Sequence, residues 1–505
     1  MAETNRPSGE IYANPREAAL LFLLPGIIQG FAIWGLIEYA DESSPPPFVI
    51  ALLFFALVVP AAHFLTSTIG MRLKAALFSG GLGLFTAALY LLAEASFGNP
   101  GEITEAVLAV SFFANLLICY IAVPLFRTVF ERRQPANHYP SLFEFAWNLP
   151  VIGAAAGLFT LAFWAVLGIW GALFSLIGID LFRDLFFDET FAFPANFGAI
   201  GIAIGIVRER EGIVLALRNV LFALLKVLSP ILMSATVLFT VSALISGVNQ
   251  LWEGWSAATL MVSAIAMAVV LSNAVIGDEG KPESSTLLWS VRLQAFVLPV
   301  LALFALYAMY LRLSEYGLTV ARIYALIIVL FASAYAVVWF VSALRNQGYG
   351  FLRQANIMLA GALFVVAILV QTPIFNTWAI SANDQVARLK DGRMTAEEFD
   401  YAYFQFDLGG VGKRALQDLK QDTSLPDHET ILAEIERVEM AESRYAFRRQ
   451  TVADKDRLTS LIENGQLELV PANLELESDF LAFAEEDRTI ANTCGTEGRD
   501  SRCLL

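Results

Sequence analysis

The sequence has few of the residues on which most catalytic and metal chemistry depends. Its 505 residues include three histidines and three cysteines, and only 16% of them are charged. The histidines are far apart and there is no His-x-x-x-His or Cys-x-x-Cys pair, so no metal site is predicted. No catalytic residue set and no cofactor are indicated. The net charge of −15 argues against nucleic acid as a partner, because a basic face is needed to bind phosphates.

Long apolar runs fill most of the chain instead. Apolar residues make up 57% of the sequence, and runs of about 20 such residues are long enough to cross a hydrocarbon core of about 30 Å. We therefore predict an all-α, polytopic helical membrane protein with about 11 transmembrane helices and the lipid bilayer as its partner. The predicted spans are residues 18–37, 48–68, 75–93, 106–126, 149–170, 191–206, 228–247, 257–276, 291–311, 320–343 and 355–375.

The charges divide the chain into regions. Residues 1–375 carry 18 Lys/Arg and 22 Asp/Glu, whereas residues 376–505 carry 15 and 26. This distribution predicts a cytoplasmic N-terminus at 1–17, a transmembrane domain at 18–375 and an acidic extramembrane C-terminal region at 376–505. We expect the C-terminal region to form small helical hairpins.

The basic residues also indicate an orientation. With the N-terminus inside, the cytoplasmic segments hold 15 Lys/Arg, and the outer segments of the transmembrane domain hold Arg183, Arg312 and Arg322. Positive charge concentrates on the cytoplasmic side of membrane proteins. Since the number of predicted spans is odd, the C-terminal region is expected on the outer side.

The polar turn between the ninth and tenth spans is the first candidate site. It holds Arg312, Glu315, Tyr316 and Arg322. Positive charge outside opposes the usual preference, so a negative partner is expected. The arginines could bind an anion, such as the phosphate or carboxylate of a small molecule or a lipid, or they could dock the acidic C-terminal region. Thr319 is expected to cap the next helix.

A second candidate lies between the fifth and sixth spans. Asp180, Arg183 and Asp184 alternate with apolar and aromatic residues, which predicts a short amphipathic helix on the outer side. Arg183 follows Asp180 by three residues, a spacing that allows an ion pair on one helix face. Such a helix either lies on the bilayer surface or acts as a gate over an outward-facing cavity.

Two further features concern cysteine and glycine. Cys494 and Cys503 could form a disulfide if the C-terminal region is in an oxidising compartment; free thiols are the alternative. The glycine pairs Gly153/Gly157 and Gly201/Gly205 have the four-residue spacing that lets membrane helices approach closely. We expect these glycines to serve packing.

Two motifs resemble a known family. They are Glu315-Tyr316-Gly317-Leu318-Thr319 followed by Arg322, and the run from Ile380 to Gly392 followed by Phe399-Asp400-Tyr401 and Leu408-Gly409. Together they resemble the bacterial family of domain-of-unknown-function proteins numbered 4153, over the last seven spans and the start of the C-terminal region. The resemblance implies a bacterial polytopic inner-membrane protein, and the orientation derived above then makes its C-terminus periplasmic. It implies no activity, cofactor or catalytic residue.

Two functions follow from these patterns. A transporter-like protein is favoured by eleven spans and by Pro150, Pro230 and Pro299, each of which follows an amphipathic elbow at the start of a span, as in a parallel repeat. The alternative is a non-enzymatic envelope, signalling or scaffold protein whose membrane domain anchors the periplasmic tail. A membrane enzyme is less favoured, because no constellation of catalytic side chains is visible. Nothing in the sequence specifies an oligomeric state.

Overall fold

A computed structural model describes residues 17, 19–42, 45–98, 105–246, 257–278, 284–345, 349–425, 427–441, 443–447, 467–468 and 503–504. The chain divides into two compact units, Met1–Gln385 and Val386–Leu505. The first ten residues of the predicted C-terminal region, 376–385, therefore belong to the first unit.

Helices account for nearly all of the described secondary structure. Those that begin in the first unit are α1 (Leu24–Glu42), α2 (Pro47–Thr66), α3 (Arg72–Phe97), α4 (Glu105–Phe126), α5 (Tyr139–Ser175), α6 (Leu181–Phe187), α7 (Glu189–Glu209), α8 (Glu211–Ser246), α9 (Ala257–Ile276), α10 (Ser285–Tyr316), α11 (Val320–Leu344), α12 (Gly350–Leu369) and α13 (Thr377–Lys390). A π-helical turn, Ala19–Leu23, precedes α1, and another, Arg127–Glu131, follows α4.

Eleven described helices are long and apolar enough to cross a membrane. They are α1 to α5 and α7 to α12, and each overlaps one of the predicted spans. The predicted helical polytopic membrane fold is thus confirmed. The agreement has a simple reason: a bilayer offers no water to unpaired backbone groups, so an apolar run of sufficient length has to be helical.

Three of the helices are longer than a bilayer requires. Helices α5, α8 and α10 contain 37, 36 and 32 residues, which corresponds to about 50 Å at about 1.5 Å per residue. Pro150, Pro230 and Pro299 lie inside them. The amphipathic elbow before each of these prolines is therefore part of the same helix as the span that follows it.

Glycines bring α1 and α7 into backbone contact. A Cβ atom added at Gly201 would overlap the carbonyl oxygen of Phe22, and one added at Gly26 would overlap that of Phe197. At Gly205 it would lie 2.8 Å from the ring of Phe22. Of the two predicted glycine pairs, Gly201/Gly205 forms a close helix contact.

Apolar packing holds the helices of the first unit together in separate clusters. Phe22, Phe64, Ile152 and Ile204 form one buried cluster that joins the start of α1 to α2, α5 and α7. This cluster fixes the ends of these helices relative to one another. It lies beside the cavity described below, which Ile152 also lines.

The second unit contains two further helices, α14 (Gly409–Gln421) and α15 (His428–Met440). Ile431, Ile435 and Val438 are buried on one stripe of α15. Lys390 donates a hydrogen bond of 2.7 Å to Asp422, and this bond, together with the hydrogen bonds that Ser424 donates to the same carboxyl, lowers the pKa of Asp422 to about 2. The two-residue strands β1 (Leu467–Glu468) and β2 (Cys503–Leu504) pair in parallel.

Candidate functional site

A cavity of about 270 Å³ lies at one end of the first unit, where several helices begin or end. Its wall is formed by Thr68 just after α2, the turn after α4, the first half of α5, the end of α7 and the start of α8. We call it the arginine cavity. Its charged and amide lining residues are Arg127, Glu131, Arg132, Glu144, Asn148, Arg208, Glu211 and Arg218.

Arg208 is the most enclosed of these charges. It lies in the last turn of α7 and is only 5% exposed. Its Nη1 atom donates to the carbonyl oxygens of Phe64 and Ser67, the latter at 3.2 Å, at the end of α2. Because α2 ends here, these carbonyls receive no hydrogen bond from a following helical turn. A cation at this position is also attracted to the negative end of the helix dipole.

Part of the Arg208 guanidinium lacks hydrogen-bond partners within the described part of the chain. Among the described residues, neither its Nε nor its Nη2 atom has a hydrogen-bond partner, although both are buried. Arg127 lies near enough to repel it electrostatically, whereas Glu131, Glu209 and Glu211 attract it. Because a buried donor without a hydrogen-bond partner costs about 1 to 3 kcal/mol, the two unpartnered nitrogens favour the entry of an anion.

Arg127 and Arg132 share an aromatic surface in the same wall. Their Cζ atoms lie 4.1 Å and 5.7 Å from the ring centroid of Phe145. Arg127 is held by two hydrogen bonds, of 2.7 Å and 2.9 Å, to the carboxylate of Glu131 one turn later. Arg132 pairs with Glu144 at 3.0 Å. Both guanidinium planes are therefore fixed before any ligand arrives.

Arg218 completes the basic lining from α8. Its Nη1 atom donates to Oδ1 of Asn148 at 3.1 Å. This hydrogen bond links the first turns of α8 to the first turns of α5. Four arginines against three glutamates leave an excess of positive charge in the lining. Planar guanidinium groups match the oxygens of phosphate and carboxylate, so the arrangement suits an anion of that kind.

The predicted outer turn has a different geometry. Thr319 caps α11, and its side chain accepts from the backbone N–H of Arg322 at 3.4 Å. The guanidinium of Arg322 donates to the carbonyl oxygens of Tyr316 and Gly317, at 2.8 Å and 2.9 Å, and lies 5.3 Å from the Tyr316 ring. Arg322 thus binds the carbonyl end of α10.

Arg312 and Glu315 lie in the last two turns of α10. Glu315 is exposed, and Arg312 is four residues before Tyr316, the last residue of this helix. Anion binding by Arg312 and Arg322 stays a prediction.

The segment 377–385 meets the same turn. Asp384 accepts from the backbone N–H of Leu318 at 2.7 Å, and Ser381 donates to the Leu318 carbonyl at 3.1 Å. Gln385 donates to the carbonyls of Leu318 and Tyr316, both at 3.0 Å. The expected partners of the turn were an anionic ligand and the chain's own C-terminal region. The segment 377–385 of the chain contacts the turn, and the Asp384 carboxylate accepts from a backbone amide and not from an arginine.

The predicted amphipathic helix corresponds to α6. Arg183 lies 3.9 Å from Asp180 and 3.6 Å from Asp184, and all three side chains are at least half exposed. On the opposite face, Phe182 packs 5.5 Å from the ring of Trp170 near the end of α5. Neither the surface role nor the gate role is decided by these contacts, and the gate stays a prediction.

The remaining predictions concern the two C-terminal cysteines and Glu94. Cys494 and the side chain of Cys503 lie outside the described part of the chain, so their disulfide stays a prediction. Glu94 directly follows the predicted span 75–93, which placed it in a loop. In the structure it lies within α3, one turn after Tyr90. Both side chains are buried. The apolar run before Glu94 gave no sign that the helix continues past it.

The motifs quoted above for their resemblance fall within a longer match. A family model described as "Domain of unknown function (DUF4153)" matches residues 40–419. The match begins at the end of α1 and extends into α14, so it covers more than the last seven spans. No curated protein and no solved structure shows significant similarity to the chain.

Proposed function

The chain belongs to the DUF4153 family, whose description names no activity, and we propose on the geometry of the arginine cavity that it binds a phosphate or carboxylate anion there. Arg208 carries the proposal. It is buried, it lines the cavity, and two of its nitrogen atoms have no partner among the described residues. A buried cation with unmet hydrogen bonds is a candidate for ligand binding.

We propose further that the anion is the cargo of a transporter-like membrane domain. The walls of the cavity come from α5 and α8, the two long helices that contain Pro150 and Pro230. A proline interrupts the hydrogen bonding of a helix and permits it to bend. A bend at either proline would move the cavity wall relative to the rest of the helix, as alternating access requires.

The first prediction concerns Arg218. Replacing it by glutamine removes one cation from the cavity and keeps a polar side chain at that position. We expect the affinity of the detergent-solubilised protein for inorganic phosphate, measured by isothermal titration calorimetry, to fall about tenfold, or about 1.4 kcal/mol. Phosphate efflux from proteoliposomes is expected to slow in the same variant.

Arg345 provides the matched control for this measurement. It is an exposed arginine that follows α11, and its guanidinium lies 4.3 Å from the ring of Phe351, away from the arginine cavity. Arg345→Gln should bind phosphate like the wild type. If the wild type binds neither phosphate nor acetate, the anion-binding function is wrong; binding without efflux would remove only the transport role.

The contact between the segment 377–385 and the outer turn favours a second function. We propose that the membrane domain anchors the C-terminal region on the outer side of a bacterial inner membrane, with the N-terminus in the cytoplasm. The distribution of 15 Lys/Arg against three supports this orientation. The hydrogen bonds of Ser381, Asp384 and Gln385 to the turn would hold the start of this region at the membrane.

A reporter fusion tests the orientation. Alkaline phosphatase fused after Lys390 is expected to be active, because that enzyme folds only in the oxidising periplasm. Green fluorescent protein fused at the same residue should not fluoresce. An inactive phosphatase together with a fluorescent fusion would place the C-terminal region in the cytoplasm and would reject the anchoring function as proposed.

A further inference from the structure

Three cavities surround the first half of α5, and neighbouring cavities share side chains. The arginine cavity and a second cavity of about 330 Å³ are both lined by Glu144 and Arg218. The second cavity and a third, of about 380 Å³, are both lined by Phe143. The three cavities therefore follow one another around a single helix.

The chemical character of the walls changes along this series. The second cavity is still charged, with Lys226 and Asp278 in its lining. The third is mostly apolar, and we call it the apolar groove; its walls come from α4, α5, α9, α11 and α12. Its apolar lining includes Pro124, Leu125, Leu142, Trp147, Val270 and Ile357.

Helix α5 separates the two ends of the series. Phe145 and Asn148 line the arginine cavity, whereas Ala146 and Trp147 line the apolar groove. Residues one apart on a helix point in directions about 100° apart, and residues four apart share a face. A ligand that occupies both ends of the series must therefore carry an anionic group and an apolar chain.

The apolar groove is open at the side of the bundle. Tyr120, Leu125 and Val270 line it and are 43%, 40% and 42% exposed. All three belong to helices long and apolar enough to cross a membrane, so in a bilayer these surfaces face lipid chains. A lipid chain can therefore reach the groove from the bilayer core, and the arginines at the other end of the series would select the headgroup.

We propose that the anion in the arginine cavity is the phosphate group of a membrane lipid whose acyl chain lies in the apolar groove. This inference rests on the proposed anion-binding function and names the class of ligand. Basic pockets between membrane helices commonly bind anionic headgroups. A free phosphate shares the headgroup chemistry but would leave the apolar groove unused.

The experiment compares two probes with the same phosphomonoester group. Dioleoyl phosphatidic acid carries acyl chains and glycerol 3-phosphate does not. We expect the detergent-solubilised full-length protein to bind the lipid at least tenfold more tightly in a thermophoresis titration. Gly361→Phe places a ring in the apolar groove, where a Cβ atom meets no neighbour within 4 Å. It should abolish the preference for the lipid and leave glycerol 3-phosphate binding unchanged.

Gly157→Phe is the matched control, because Gly157 lies on α5 and has equally open space around it. It should change neither affinity. Val270→Trp blocks the groove from α9 and serves if Gly361→Phe does not fold. Equal binding of both probes, unaffected by the groove variants, would overturn the lipid assignment and leave the anion site intact. If neither probe binds, both the lipid assignment and the anion site are overturned.

Discussion

Arg208→Lys is expected to fold like the wild type and to bind phosphate at least about tenfold more weakly. The lysine ammonium can still donate to the carbonyl oxygens of Phe64 and Ser67, so the end of α2 keeps its cation. It cannot also supply the two further donors that Arg208 carries at Nε and Nη2, which have no partner among the described residues. Lysine and arginine differ in this respect because only the guanidinium presents donors in a planar fork.

The measurement separates folding from binding. Thermal unfolding in detergent reports on the bonds to α2, and a phosphate titration reports on the remaining donors. Arg210→Lys is the control, since Arg210 is exposed and only two residues away. Wild-type affinity in Arg208→Lys would show that the buried guanidinium acts as a helix cap alone, and the anion site would then have to be abandoned.

The arginine cavity illustrates what the sequence could and could not predict. The charge pattern assigned Arg127, Arg132, Arg208 and Arg218 to one side of the membrane, because each adjoins an even-to-odd connection between spans. Which of them is buried depends on how α2, α4, α5, α7 and α8 converge, and those contacts join residues far apart in the chain. The sequence separation of 144 residues between Phe64 and Arg208 leaves no periodic signal for their hydrogen bond.

The outer turn was identified from the sequence, but the role of its arginine was not. Its polar character, its cap at Thr319 and its proximity to the start of the C-terminal region are all readable from the sequence. The role of Arg322 cannot be predicted in this way, because a guanidinium can bind either a ligand or the carbonyls at a helix terminus. The backbone decides: α10 ends at Tyr316 with Gly317 at φ +69°, and this conformation turns two carbonyls toward Arg322.

Gly201→Leu is expected to destabilise the first unit severely. A side chain at Gly201 meets the carbonyl of Phe22, which is backbone and cannot rotate away. Overfilling a packed site costs about 1 to 3 kcal/mol when side chains can adjust, and we expect more than that because α1 and α7 would have to separate. The same displacement would disturb Phe22 and Phe64, which pack beside the arginine cavity.

Gly157→Leu tests whether the effect belongs to the contact or to the loss of a glycine. Both glycines lie in a four-residue glycine pair on a membrane helix, but a Cβ atom at Gly157 meets nothing within 4 Å. In size-exclusion profiles of detergent extracts, we expect Gly157→Leu to elute like the wild type and Gly201→Leu to give little monodisperse protein. Equal profiles would mean that α1 and α7 do not pack through their backbones, and the position of Arg208 at the end of α7 would lose its support.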